Sequence, residues 1–135
     1  MVYVTRREVF SSAHRLLNPA LSDEENYELY DKCFSPNYHG HNYVLEVVVA
    51  GDIDPRTGYV IDLKHLKDIM KKNVIGKMDH RNLNTDVDFL QGINPTAENL
   101  AVAIWNQLVS HIPQGKLYSV KIYETENNYA EYKGE

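Results

Sequence analysis

His39-Gly40-His41 carries two imidazoles two residues apart. In an extended chain, residues i and i+2 project from the same face. Both rings could therefore chelate one ion, and Gly40 between them lets the backbone come close. His14 lies just past an earlier alternating stretch, in Ser12-Ala13-His14. If the two stretches pair as antiparallel strands, with residues 15–37 as the connection, the end of the first lies beside the start of the second. His14 then falls next to His39 and His41. Three histidines leave a fourth tetrahedral position open, the form of a catalytic zinc site and not of a closed structural one. The competing reading is three hydrogen-bonded imidazoles in a polar pocket.

Cys33, the only cysteine, precedes His39 with five residues between them. A thiol near a bound cation has its thiolate favoured and can serve as base or nucleophile. It could equally be a small buried apolar residue, or a fourth ligand that would close the site. Asp79-His80 could form an acid–base pair in which the carboxylate orients the imidazole, or a plain surface turn. Glu124 continues the alternation of Tyr118, Val120 and Ile122. A carboxylate on an otherwise apolar face is unusual. It could accept two hydrogen bonds side by side from a planar ring bearing adjacent N–H groups, or simply reach water. Glu98 suits the first turn of a helix without any further role. His65 and His111 read as surface or packing residues.

The elements that must hold these groups can be traced in the pattern. Residues 2–12 alternate as a strand, with Val2, Val4, Arg6, Glu8 and Phe10 on one side. Residues 15–37 look irregular, with room for a short helix over Asp23–Tyr30, Ser22 as N-cap and Glu25 in the capping-box position. Residues 39–50 are the clearest strand, with Tyr43, Leu45, Val47 and Val49 on one face. Asp62 caps a helix to about Ile75, which Gly76 should stop. A second helix should start with Asn94 as cap and Pro95 as first residue. Residues 117–124 and 128–134 form a hairpin around Thr125-Glu126-Asn127-Asn128. The order is β-β-α-α-β-β, an α+β domain over residues 1–135 with a four-stranded antiparallel sheet and two helices on one face. Such a sheet has open edges, so an oligomer is expected, and a barrel closed across subunits would satisfy them.

Composition narrows the class further. The 135 residues are one domain's worth. Hydrophobic residues make up 43% and charged residues 24%, values of a soluble globular domain and not of a disordered chain. No apolar run approaches the roughly 18 residues that span a bilayer, and the N-terminal stretch lacks the apolar core of a secretory signal. A net charge of −5 disfavours nucleic acid and anionic membranes as partners. One cysteine makes no internal disulfide, which fits a reducing, cytoplasmic setting.

Taken together, these residues resemble the 6-pyruvoyl-tetrahydropterin synthase family. The matching segments are Phe10–Arg15, Cys33 with its spacing to His39-Gly40-His41-Asn42-Tyr43, Met78–Leu83, Pro95–Asn99 and Tyr123–Asn128. Leu21–Asn26 and the C-terminal Tyr132–Glu135 resemble the animal-type enzyme, and the match runs nearly end to end. The resemblance implies the tunnelling fold (T-fold), in which three subunits form a twelve-stranded barrel and two trimers stack into a homohexamer. It implies conversion of 7,8-dihydroneopterin triphosphate to 6-pyruvoyltetrahydropterin with loss of triphosphate, on the tetrahydrobiopterin pathway. His14, His39 and His41 match the Zn2+ ligands, and Cys33, Asp79 and His80 the catalytic group. Glu124 matches the pterin anchor, with Thr96 a further substrate contact, in a pocket between subunits. Arg15, Lys32, Lys77 and Arg81 flank these motifs as candidate cations for the triphosphate. A relative that makes a 6-carboxy product has a shorter cysteine-to-HxH spacing, so the gap here favours the pyruvoyl enzyme, although Pro95-Thr96-Ala97 is closer to the carboxy type. A non-catalytic pterin- or purine-binding T-fold protein and a structural zinc module are the other readings.

Overall fold

The computed structural model describes residues 1–135. Its two longest strands, β1 (Val2–His14) and β2 (His39–Gly51), pair antiparallel over their whole length. Alternation puts Phe10, Tyr43, Leu45, Val47 and Val49 on one face, where all are buried. The opposite face carries exposed Tyr3 and Val9. Between the strands lies the expected helix α1 (Asp23–Tyr30), with the Ser22/Glu25 capping box formed. Buried Asn26 anchors it: its amide donates to the carbonyls of Asn18, Leu21 and Ser22 and accepts from the Asn18 N–H. A single turn of 3-10 helix, Asp31–Phe34, then carries Cys33 toward β2.

Helix α2 (Leu63–Met70) starts at the Asp62 cap as expected, but Gly76 does not stop it. The helix widens into a π turn over Lys71–Ile75 and continues as α3 (Gly76–Met78). Gly76 makes the wide turn possible, because a Cβ there would meet the Lys71 carbonyl oxygen at 2.8 Å. After α3, strand β3 (Arg81–Asn82) pairs parallel with Ser12 and Ala13 of β1. The last helix, α4 (Ala97–Leu108), is capped by Thr96 and not by Asn94. Thr96 Oγ1 accepts from the Asn99 N–H, while the Asn94 side chain accepts from the Leu17 N–H and donates to the Tyr30 hydroxyl. Pro95 therefore lies outside the helix, and its carbonyl is free for another partner.

Strands β4 (Lys116–Thr125) and β5 (Asn128–Tyr132) complete the sheet, whose order is β3-β1-β2-β4-β5. It has five strands, not the expected four, because the two-residue β3 is too short to leave a periodic signal. A bulge opposes Val48-Val49 to Ser119 and Leu117, so Tyr118 is the extra residue. Tyr118 thus leaves the face of Val120 and Ile122, where simple alternation put it, and packs edge-on against Tyr3 at 4.7 Å between ring centroids. Helices α2 and α4 cover one face around a core of 25 residues, while Tyr3, Val9 and Tyr129 remain exposed on the other.

Gly76→Ala is expected to cost about 1–3 kcal/mol in urea unfolding, by forcing a methyl group against the Lys71 carbonyl. Gly58→Asn, at a left-handed position with open space around it, should change stability by less than about 0.5 kcal/mol.

Candidate active site

The β1–β2 register sets His14 directly opposite His39 and Ser12 opposite His41. The three rings lie on the helix-covered side of the sheet, with centroids 4.6, 5.1 and 4.9 Å apart. One ligand nitrogen from each falls within 4.8 Å of the others. His14 Nδ1 lies 2.8 Å from the Pro95 carbonyl oxygen. A carbonyl can only accept, so Nδ1 carries the hydrogen and Nε2 presents a lone pair. His14 Nε2, His39 Nδ1 and His41 Nε2 are all buried without a hydrogen-bond partner. Three orphaned imidazole nitrogens in one place are expensive to bury, and a shared metal ion would satisfy such a group. These residues could hold one.

The protonation states suit that role. Burial lowers His14 to about 4, with a smaller contribution from the neighbouring imidazoles and against the hydrogen bond to Pro95. Burial also lowers His41, partly offset by the charge of Glu124. Both rings are therefore neutral near pH 7 and able to act as ligands. Glu124 Oε1 sits 3.3 Å from His41 Nε2, near enough for charge attraction but not aligned as a hydrogen bond, so the nitrogen stays free. Tyr43 is fully buried, stacks on Phe10 and brings its hydroxyl 3.2 Å from His14 Nδ1. Burial, then the charge of Glu124, pushes its phenol well up.

Cys33 is half-buried and free. Its carbonyl accepts from the Leu16 N–H at 2.7 Å, which ties it to the end of β1. Burial, then the charges of Glu124 and Asp31, push the thiol up. The chain's own groups thus disfavour the thiolate, and only a cation in the histidine cluster would favour it. Glu124 lies against His41, its charge reaches Cys33, and it also lines an open cleft of about 670 Å³ with Glu98, Asn127, Asn128 and Tyr129.

Asp79 and His80 do face each other, with His80 Nδ1 3.0 Å from Asp79 Oδ1. Two backbone bonds fix the pair: the Ser11 N–H donates to Asp79 Oδ1, and the His80 N–H donates to the Ser11 carbonyl. The Ser11 N–H chiefly, with His80, holds the Asp79 carboxyl below its usual range. His80 takes a left-handed backbone, φ 59°, and its side chain is 84% exposed. It lines a cleft of about 480 Å³ with Ser11, His41, Asn42 and Arg81, on the β3 side of the sheet. Within one chain the structure therefore unites His14, His39, His41 and Glu124, ties Cys33 to the end of β1 within reach of the Glu124 charge, and leaves Asp79 and His80 at an edge.

The family model for 6-pyruvoyl tetrahydropterin synthase matches residues 3–135. The chain belongs to the 6-pyruvoyl tetrahydropterin synthase family. It is 50% identical over 132 residues to the human 6-pyruvoyl tetrahydrobiopterin synthase, covering 98% of this chain and 91% of that one. The Dictyostelium discoideum protein of the same name is 51% identical over 134 residues, covering 99% and 97%. The solved structure of the Caenorhabditis elegans 6-pyruvoyl tetrahydropterin synthase superposes with a TM-score of 0.94 at 44% identity, covering 99% of this chain and 96% of that one.

For a member of this family, the remaining expected contacts divide. Thr96 spends its hydroxyl on capping α4. Lys32 and Lys77 are exposed, and Arg81 lines the His80 cleft. The guanidinium of Arg15 is turned inward onto Phe34. Three participants escape a reading of the sequence. Tyr43 had a signal, since it continues the His39, His41 alternation. The Pro95 carbonyl and the Ser11 N–H are backbone groups and had none.

Equilibrium dialysis should find one divalent ion per chain, and His14→Ala, His39→Ala or His41→Ala should each weaken binding by more than about 100-fold. The metal-free protein should lose stability as pH falls. Unfolded His14 takes up a proton near 6.5 and the folded residue only near 4, so the loss develops between those values and reaches about 3 kcal/mol. His14→Gln should flatten that part of the urea-unfolding profile.

Proposed function

We propose that this protein is a zinc-dependent lyase converting 7,8-dihydroneopterin triphosphate to 6-pyruvoyltetrahydropterin and triphosphate, in tetrahydrobiopterin biosynthesis. The observation that carries the reading is the convergence of three unpartnered imidazole nitrogens beside Glu124 and Cys33, in a chain half identical to enzymes of that name. Three nitrogen ligands and no fourth fit the open coordination of catalytic zinc. Held there, zinc supplies Lewis-acid polarisation of the substrate's side-chain oxygens, which acidifies the neighbouring C–H bonds.

The chain's own groups do the rest. Glu124 accepts hydrogen bonds from the pterin ring and so directs the side chain toward the histidine cluster. Its closeness to His41 supports this, because an anchored ring then lies within one side chain's length of the ligands. Cys33 removes a proton from that side chain as the thiolate. His80, oriented by Asp79, moves protons as the enol tautomerises. No redox cofactor is required, since hydrogen moves only within the substrate.

The separation of His80 from Cys33 favours an assembled site. One face of the sheet is uncovered and carries Tyr3, Val9 and Tyr129, and its outer strands are the short β3 and β5. Three chains, each contributing β1, β2, β4 and β5, would close a twelve-stranded barrel that covers that face and pairs the β1 edge left open beyond β3 with β5 of the next chain. Ring closure also sets the β3 edge of one chain, with its Asp79–His80 pair, beside the Glu124 side of the next. Two such trimers would give the homohexamer.

Incubation with dihydroneopterin triphosphate, with and without zinc, followed by identification of the pterin, tests the proposal. The pyruvoyl product should form only with the metal. Cys33→Ala should lower turnover by at least about 1,000-fold while leaving the bound ion in place. A carboxy or unchanged side chain, or loss of the ion from the Cys33 variant, would overturn it.

A further inference from the structure

Arg15 follows a metal-binding histidine directly, yet its side chain turns away from solvent. The guanidinium carbon lies 4.4 Å from the centre of the Phe34 ring and 5.8 Å from that of Tyr38. Its Nη2 donates to the Phe34 carbonyl at 2.9 Å, and its Nε is buried with no partner. The backbone is equally committed. The Arg15 N–H donates to the Asn84 side-chain oxygen, and the Asn84 amide donates to the Arg15 carbonyl. The next residue, Leu16, donates to the Cys33 carbonyl.

The side-chain contacts of Arg15 and the Leu16–Cys33 bond converge on one segment. Cys33 adjoins Phe34. Tyr38 adjoins His39 and holds a left-handed backbone, φ 66°. The 33–38 connection thus runs from the thiol to a metal-binding histidine and contains a strained residue. The contacts that pin it include the Leu16–Cys33 bond, the bonds from Ser35 N–H to the Lys32 carbonyl and from Tyr38 N–H to the Ser35 carbonyl, the packing of Phe34 against Tyr27, and Arg15. A planar guanidinium can stack on rings and donate in its own plane at once, which a lysine ammonium cannot do.

We propose that Arg15 is a positioning residue: its guanidinium, laid on Phe34 and Tyr38 and bonded to the Phe34 carbonyl, holds the Cys33 thiol against the histidine cluster. This deepens the proposed function and rests on its assignment of Cys33. It also argues against Arg15 as a phosphate contact, because the guanidinium is laid on the Phe34 ring, Nη2 is bonded to the Phe34 carbonyl and Nε is buried. Displacing a reacting group by about 1 Å lowers a rate by roughly 100-fold while binding survives.

The test uses the zinc-loaded protein with Arg15→Ala and, as a milder change that keeps the charge, Arg15→Lys. The first measurement is the rate of Cys33 alkylation by iodoacetamide at a fixed pH. It reads the thiol's freedom without any turnover. Both variants should react about tenfold faster than the parent. Phe34→Leu, which removes the stacking ring and leaves Arg15, should do the same. The second measurement is turnover of dihydroneopterin triphosphate, where kcat should fall by about 100-fold and KM move by less than about threefold. Zinc affinity should stay within about threefold. A raised KM with unchanged kcat and unchanged alkylation would make Arg15 a phosphate contact and overturn the proposal. Unaltered alkylation in Arg15→Lys and Phe34→Leu would overturn it as well. If Cys33→Ala retains full turnover, the catalytic assignment of Cys33 fails, and the alkylation rates still decide whether Arg15 holds the thiol.

Discussion

The pairing register of β1 with β2 governs the site. His14 faces His39 across the ladder, and His41 and Tyr43 follow at two-residue intervals on the same side. Side-chain direction alternates along a strand, so a slip of one residue would send His39, His41 and Tyr43 to the uncovered face and leave His14 alone. The core resists that slip, because Tyr43, Leu45, Val47 and Val49 would leave it together. Hydrophobic burial in the middle of the hairpin thereby enforces a polar arrangement at its end. The same apolar contacts that stabilise the fold hold three imidazoles in a place where none would settle alone.

Packing of α4 supplies the other half of the arrangement. The helix begins after Pro95, which leaves a carbonyl without a helical partner, and that carbonyl takes the Nδ1 hydrogen of His14. Ring orientation and tautomer are thus set by a backbone group on an element far away in sequence. The electrostatics follow from burial. Burial favours neutral His14 and His41 and a protonated Cys33, a resting state poised for a cation.

Much of this was legible in the residues themselves. The trio could be read because i, i+2 spacing on a strand fixes facing, and a hairpin fixes which ends meet. Helix α1 could be read because Ser22 and Glu25 cap it by local chemistry. Local rules fail where tertiary contacts override them. Asn94 looks like a cap, but its amide is used by Leu17 and Tyr30, and Thr96 takes over. Tyr118 breaks alternation because a bulge adds one residue against β2. Strand β3 has no pattern, since two residues cannot show a period. The inward turn of Arg15 depends on rings 19 and 23 positions away, at Phe34 and Tyr38, and a basic residue beside a motif looks the same whether it faces solvent or a carbonyl.

The π turn at Lys71–Ile75 has a consequence for how chains of this kind can change length. Such a turn amounts to one residue inserted into an α-helix. Deleting a residue there would restore ordinary winding and relieve the crowding at Gly76. Because the wide turn absorbs the extra residue, that deletion would leave everything downstream facing as it does now, whereas a deletion in a regular stretch would rotate it by about 100° about the helix axis. After a deletion in the regular part of the helix, Met78 would swing out of the core and Asp79 would lose the Ser11 N–H. A chain of this kind can therefore shorten by one residue at the π turn, and not elsewhere in the helix, without losing the contacts of Asp79 and Met78.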